Sequence, residues 1–362
     1  VTAVGLRCDA GVTMGVGHLV RCLALAEELL TRGCQVALLG DVGTVPWTTR
    51  EIDRLGLPVI AAPADPAALA LTAWRLGLDA VVIDSYVTDP GCAAALRAGG
   101  VTVLAIVDGD LRGQQPDLFL DQNLNADLAA PPLPPGTLRL AGLRYVLLRD
   151  SVRSRRPPAP RPLPPAGPPS VVCFFGGTDP AGAAPVLAGM LAATGVPLHA
   201  TVVSPTAAPP DATTVSPTAA LPDATAASSA AAGVPPAPGQ TFRFVPNTPD
   251  LPALLDRADL VVAAAGTSTW ELLCLGVCPA LVMVADNQRL GYDAMLARGL
   301  GLGLGAITDL PSPAAVRTLH AALTSPERRH ALAARGWAEV DGDGRVRAAD
   351  ALLTAVATRR PH

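Results

Sequence analysis

Short apolar runs and longer stretches of helical periodicity alternate along the chain. Val4–Cys8, Gln35–Leu39, Val59–Ala61, Ala80–Asp84, Val101–Asp108 and Leu118–Leu120 are brief apolar segments, the pattern of strands covered on both faces. Between the first two, Leu19, Cys22, Leu23, Ala26, Leu29 and Leu30 recur at helical spacing, predicting a helix over His18–Thr31 that Gly33 ends. Further helices are expected at Thr48–Leu55, Pro66–Leu76 and Pro90–Ala98, and a last short strand at Tyr145–Leu148. Ser151–Pro169 is crowded with Pro and Arg, which excludes a regular element and reads as a linker.

The alternation then resumes. Strands are predicted at Val171–Phe175, Leu198–Val203, Phe242–Val245, Asp259–Ala263, Ala280–Val284 and Gly301–Leu304. Helices are predicted at Ala181–Ala193, Asp250–Arg257, Ser268–Leu275, Arg289–Arg298, Ala314–Leu323, Pro326–Ala334 and Arg345–Ala357. The fold class expected is α/β, two doubly wound Rossmann-like domains in series with ligands in an interdomain cleft. The boundaries are 1–150, a linker at 151–169, and 170–362 with an insertion at 204–240. Within that insertion VSPTAAPPDAT (Val203–Thr213) recurs as VSPTAALPDAT (Val215–Thr225); almost free of large apolar residues, it reads as a disordered surface duplication.

Composition narrows the function. At 362 residues, half of them apolar, the chain can build two cores. All 27 basic residues are Arg, so a P-loop lysine or a catalytic lysine is ruled out, and a net charge of −4 with no basic face argues against nucleic acid. The seven cysteines lie mostly in apolar runs and form no CxxC pair, which reads as core packing in a reducing, cytoplasmic setting rather than as a metal site. No secretory leader pattern and no 18-residue apolar span is present, so no stable membrane insertion is expected.

Candidate chemistry sits where strands meet helices. The loop holding Gly15 and Gly17 delivers His18 onto the first turn of a helix, where neutral imidazole could act as a general base; a surface or N-capping histidine is the alternative. Val20 stands where a dinucleotide-binding GxGxxG would need its third glycine. Asp84, Tyr86 and Asp108 end strands that open on the same sheet edge, although each could serve a turn. Asp108-Gly109-Asp110 imitates a metal-binding DxD, but no further ligand accompanies it, so no metal is expected. In the second half Gly176-Gly177 with Thr178 and Asp179, and Gly266-Thr267-Ser268-Thr269, present backbone and hydroxyl donors at helix starts, suited to a diphosphate. Glu271 is either a ribose ligand or a capping acid; Asn287 and Gln288 follow a strand and either face the ligand or cap a helix.

These residues carry a family resemblance. RCDAGVTMGVGHLVRCLALAEEL (Arg7–Leu29) resembles the Arg-x-Asp, Gly-x-Gly-His and Arg-Cys-Leu-Ala-Leu-Ala signature of the UDP-2,4-diacetamido-2,4,6-trideoxy-β-L-altropyranose hydrolases of pseudaminic acid biosynthesis, relatives of spore coat polysaccharide glycosyltransferase-like proteins. VVIDSY, LFLDQNLNAD, GLRYVLLRD, FFGGTDP, ADLVVAAAGTSTWELLCLGVCPAL and ADNQ follow in order. The chain departs from the family at Val107-Asp108-Gly109-Asp110, where Ile-Asp-Asp-Leu is usual, and in its insertion. The resemblance implies a GT-B-like fold and metal-independent, inverting hydrolysis of a UDP-sugar without a cofactor. It further implies His18 as general base, Tyr86 and Asn287 at the sugar, Glu271 at the ribose, and Gly266–Thr269 at the diphosphate. A GT-B glycosyltransferase using the same donor, or a sugar-nucleotide binding protein, is the competing reading.

Overall fold

The computed structural model describes residues 1–11, 16–43, 45–177, 179, 181–204, 236–248 and 250–359. Gly15, Thr178 and most of the duplicated insertion lie outside them. The chain divides into two compact units, 1–154 with 340–362, and 155–339.

The first unit runs β1 (Ala3–Cys8), α1 (Gly17–Thr31), β2 (Gln35–Leu39), α2 (Pro46–Leu55), β3 (Val59–Ile60), α3 (Pro66–Arg75), β4 (Ala80–Asp84), α4 (Gly91–Ala98), β5 (Thr102–Ile106), β6 (Leu118–Asp121), β7 (Leu138–Ala141) and α5 (Asp150–Arg153). Its strands form one parallel sheet in the order β3-β2-β1-β4-β5-β6-β7. The order reverses between β1 and β4, so their carboxyl ends flank a crevice of the kind where doubly wound sheets bind ligands.

The second unit runs β8 (Ser170–Phe174), α6 (Ala183–Ala193), β9 (Leu198–Val203), β10 (Gln240–Val245), α7 (Leu251–Leu255), β11 (Leu260–Ala264), α8 (Ser268–Leu275), β12 (Pro279–Met283), α9 (Arg289–Ala297), β13 (Leu302–Ala306), α10 (Pro313–Leu323) and α11 (Pro326–Glu339). Its parallel sheet is ordered β10-β9-β8-β11-β12-β13, reversing between β8 and β11. The core of this sheet is Val171, Cys173, Leu198, Val202, Leu260, Val262, Ala280 and Val282 under α6 and α10.

The last helix, α12 (Gly344–Arg359), returns to the first unit, where the sequence boundaries had assigned it to the second. Ala348, Ala349, Leu352 and Val356 join Leu19, Leu23, Leu25 and Leu29 of α1 in one core, so α1 is covered by the sheet on one side and α12 on the other. Each such leucine contributes about 1.5–3 kcal/mol on burial. A buried ion pair fixes the seat: Arg345 Nη1 lies 2.6 Å from Glu27 Oε2, and both side chains are 3% exposed. Glu27 Oε1 also takes a 2.6 Å bond from Arg54, and Oε2 accepts the Asp150 N–H at 2.7 Å.

Two further expectations fail: Ser151–Arg153, read as linker without a regular element, belong to the short helix α5, and one strand lies elsewhere. Tyr145–Leu148 is not a strand; Tyr145 ends a 3-10 turn, and the strand lies earlier, at Leu138–Ala141. All seven cysteines are free and buried, and no helix among the described residues is long and apolar enough to cross a membrane.

Candidate functional site

In the first unit the site is built at the carboxyl ends of β1, β4 and β5. His18 is the second residue of α1, directly after Gly17, and its Nδ1 lies 2.6 Å from Asp84 Oδ1. Asp84 ends β4 and is wholly buried. Three residues along α1, on the same helix face as His18, Arg21 reaches both acids. Its Nε and Nη2 lie 2.6 and 2.7 Å from the two oxygens of Asp84; its Nη1 and Nη2 lie 2.9 and 3.0 Å from those of Asp108.

Arg21 Nη2 is also 3.2 Å from His18 Nδ1, so the proton on that nitrogen has to be assigned. Both N–H bonds of Nη2 already have shorter partners in Asp84 and Asp108. A carboxylate oxygen 2.6 Å from an imidazole nitrogen needs a proton between them, so Nδ1–H donates to Asp84. Nε2 makes no hydrogen bond to the described residues. Asp84, expected at the substrate, therefore stands behind the histidine: both its oxygens are taken and none of its surface is open.

Tyr86 follows β4 and donates its phenol proton to Asp108 Oδ2. Its ring meets that of His18 edge-on, with centroids 4.7 Å apart and planes at 87°. Burial pushes the Asp108 carboxyl up, but the Arg21 charge and the bonds from Arg21, Tyr86 and Asn123 overcome this and hold it well below the usual carboxylate range. Burial, then the Asp108 charge, pushes the Tyr86 phenol well above its ordinary value. Asn123 Nδ2 bridges Asp108 Oδ1 at 3.0 Å and Asp121 Oδ1 at 2.9 Å, and burial pushes the Asp121 carboxyl up.

In the second unit the expected residues gather at the ends of β8, β11 and β12, which are adjacent in the sheet. Gly176 takes φ +76°, and the Gly177 carbonyl accepts from Asn247 Nδ2 at 2.5 Å. Asp179 caps α6 instead of facing a ligand, accepting from the N–H groups of Ala183 and Ala184 at 2.9 and 3.0 Å. After β11, Thr269 and Trp270 N–H fold back onto the carbonyls of Gly266 and Thr267 at 3.0 and 3.2 Å. The N–H groups of Gly266, Thr267 and Ser268 have no partner among the described residues and remain as donors at the start of α8. The Thr269 hydroxyl is different: it is buried without a partner. Glu271 is buried in the first turn of α8. Gln288 Oε1 accepts the Val284 N–H at 2.9 Å, and its Nε2 lies 3.7 Å from where a Cβ on Gly266 would stand. Gln288 thus ties the loop that carries the exposed Asn287 back to the end of β12, beside the Gly266 turn.

Sequence reasoning assigned no role to Arg21 or Asn123. Arg21 could have been found, because an arginine inside an apolar stripe is a buried cation that needs acids. No group of three His, Cys, Asp or Glu among the described residues is arranged to hold a metal ion.

No protein-family model matches the chain. The spore coat polysaccharide biosynthesis protein SpsG of Bacillus subtilis (strain 168) is 26% identical over 106 residues, 29% of this chain and 31% of that protein. The chain thus matches under a third of the length of that curated relative. Among solved structures, MurG of Acinetobacter baumannii superposes with a TM-score of 0.68 at 17% identity, covering 98% of this chain and 100% of that one. UGT89C1 of Arabidopsis thaliana, solved with UDP, superposes at 0.60 with 14% identity, over 97% and 100%. Together with the two parallel sheets, these likenesses establish a GT-B, glycosyltransferase-like fold for this chain.

Proposed function

We propose that the chain is a UDP-sugar hydrolase. It would release UDP from a UDP-linked diacetamido-trideoxy sugar, by attack of water at the anomeric carbon with inversion, in the cytoplasmic synthesis of pseudaminic-type acids. The observation that carries this is the pairing of His18 Nδ1 with the buried Asp84 at 2.6 Å, which leaves Nε2 as the proton acceptor. His18 Nε2 takes a proton from water as the water oxygen bonds to C1. The C1–O bond to the diphosphate breaks, and UDP leaves with its electron pair. UDP is already a good leaving group once its charge is met, and the three open N–H groups at the start of α8, Gly266 to Ser268, suit that anion without a lysine or metal. Gly176 and Gly177 would flank the diphosphate, Glu271 would hold the ribose, and Asn287 and Tyr86 would address the sugar.

A transferase is the second reading, favoured by the glycosyltransferases among the structural neighbours, because Nε2 could take a hydroxyl proton as readily as one from water. An NMR time course with UDP-2,4-diacetamido-2,4,6-trideoxy sugars separates the two. Hydrolysis gives UDP and free sugar of inverted configuration without any acceptor, and His18→Ala slows it about 10²–10⁴-fold. UDP that appears only when a hydroxyl acceptor is added overturns hydrolysis; full turnover by His18→Ala removes the base.

A further inference from the structure

We infer that Tyr86 meets its ligand as a hydrogen-bond acceptor: Arg21 and Asp108 hold its phenol proton, so its Oη selects a sugar that presents an amide N–H or a hydroxyl at that place. The identity of the ligand rests on the proposed function; the direction of the hydrogen bond does not.

The argument is a proton count. Asp108 receives four donors: Arg21 Nη1 at 2.9 Å and Asn123 Nδ2 at 3.0 Å on Oδ1, and Arg21 Nη2 at 3.0 Å and the Tyr86 hydroxyl on Oδ2. An ionised carboxylate offers about four lone-pair sites, so Asp108 has none left for a ligand. It also has no proton of its own to give, because the Arg21 charge holds it ionised against the effect of burial. The bond from Tyr86 to Asp108 can therefore run only one way. A phenol has one proton and two lone pairs. With the proton committed, Oη can only accept.

The side chain is fixed although half its surface is open. Its ring is set against His18, and Asp108 holds its hydroxyl. Its backbone is held by Arg112, whose Nη2 donates to the Tyr86 carbonyl at 2.7 Å and whose Nη1 donates to that of Ser85. Arg112 adopts φ +54° in making this brace. The charged groups facing the His18–Tyr86 pair are Arg21, Asp84 and Asp108, all engaged with one another. The open polar atoms of this cluster are thus His18 Nε2 and Tyr86 Oη, both acceptors. Arg21 and Asp108 are positioning residues; neither needs to touch the ligand.

Phenolate absorbance at 295 nm tests the assignment in the free protein. Tyr86 is isolated as wild type minus Tyr86→Phe, and as Asp108→Asn minus the double variant. An ordinary tyrosine, of pKa about 10, is about three-quarters ionised at pH 10.5. We expect almost no phenolate from Tyr86 in the wild type at that pH, and in Asp108→Asn an ionisation that begins at lower pH than in the wild type, though still above an ordinary tyrosine's because the burial remains. An ordinary titration in the wild type, or no change in Asp108→Asn, overturns the assignment. The second measurement compares UDP-sugars that differ only in an acetamido N–H or an ester oxygen at the sugar. The wild type should favour the amide about tenfold or more in kcat/KM, and Tyr86→Phe should reduce the gap to about twofold. Equal use of both sugars by the wild type overturns the selectivity. A protein that turned over neither sugar yet kept the silent phenol would fail the proposed reaction while supporting the assigned direction.

Discussion

Replacing Asp84 by asparagine changes one atom and should nearly abolish turnover. Oδ1 accepts from His18 Nδ1 at 2.6 Å and Arg21 Nη2 at 2.7 Å; Oδ2 accepts from Arg21 Nε at 2.6 Å. An asparagine NH₂ at the second position opposes the Nε–H of Arg21, two donors face to face. At the first position it opposes both Arg21 Nη2–H and His18 Nδ1–H, and the imidazole relieves its own conflict by moving its proton to Nε2. Nε2 is then a donor and no longer a base. In either orientation the NH₂ meets one N–H of Arg21. With the oxygen on His18 the imidazole keeps its Nδ1 proton but loses the carboxylate charge that stabilises it once Nε2 has taken a proton, so both orientations weaken the base. The expected loss in kcat is on the order of 10²–10⁴-fold, the range for a positioned general base, or about 3–5 kcal/mol of barrier. KM should change little, since the buried Asp84 meets no substrate. The assay is UDP release from the diacetamido sugar nucleotide, with thermal unfolding to show that the variant folds. Long-range ¹⁵N–¹H correlation of His18 should show protonated Nδ1 in the wild type. A folded variant within about threefold of wild-type turnover would refute the dyad.

Other outcomes follow from the same geometry. Arg345→Met takes away the buried partner of Glu27 and leaves it only the half-exposed Arg54 as a cation, which should cost about 3 kcal/mol in urea unfolding; a loss under 1 kcal/mol would count against the seating of α12. Gly344→Ala places a methyl group on the backbone of Val146, so it should lower Tm by several degrees even though alanine favours helices. Asp108 titrates below its unfolded value of about 3.9, so its stabilising effect is complete above about pH 5 and is lost as pH falls through its folded pKa. The stability gap between wild type and Asp108→Asn should therefore shrink in acid, and a widening gap would contradict the Arg21 pairing. The proposed route uses no metal, so EDTA should leave UDP release unchanged; inhibition reversed by a divalent cation would rule the route out.

What could be read from the sequence follows from where each side chain spends its free energy. Ala80–Asp84 and Ser170–Phe174 are buried along their whole length except at Ser170, so their apolar runs announce strands. Leu138–Ala141 escaped because it is an edge strand, only partly covered, that follows Pro131, Pro132, Pro134 and Pro135. Val146–Leu148 misled in the opposite way: the run is buried, but the Leu147 N–H bonds to the side chain of Gln122 and joins no ladder. Periodicity showed that the last helix must cover something apolar, but not which sheet; Arg345 finding Glu27, 318 positions away, settles that and has no local signature. The candidate site divides along the same line. His18 and Tyr86 stand at element boundaries, where a single sequence exposes them. Asp84 was visible too, but whether a strand-end acid serves a ligand or a neighbour depends on which cation reaches it. Arg21 lies between Leu19 and Leu25 on a buried helix. A cation there must find acids or destabilise the core, and Asp84 and Asp108 are the acids that answer it. Their negative charge is then spoken for, and chemistry in this unit passes to the groups those acids orient.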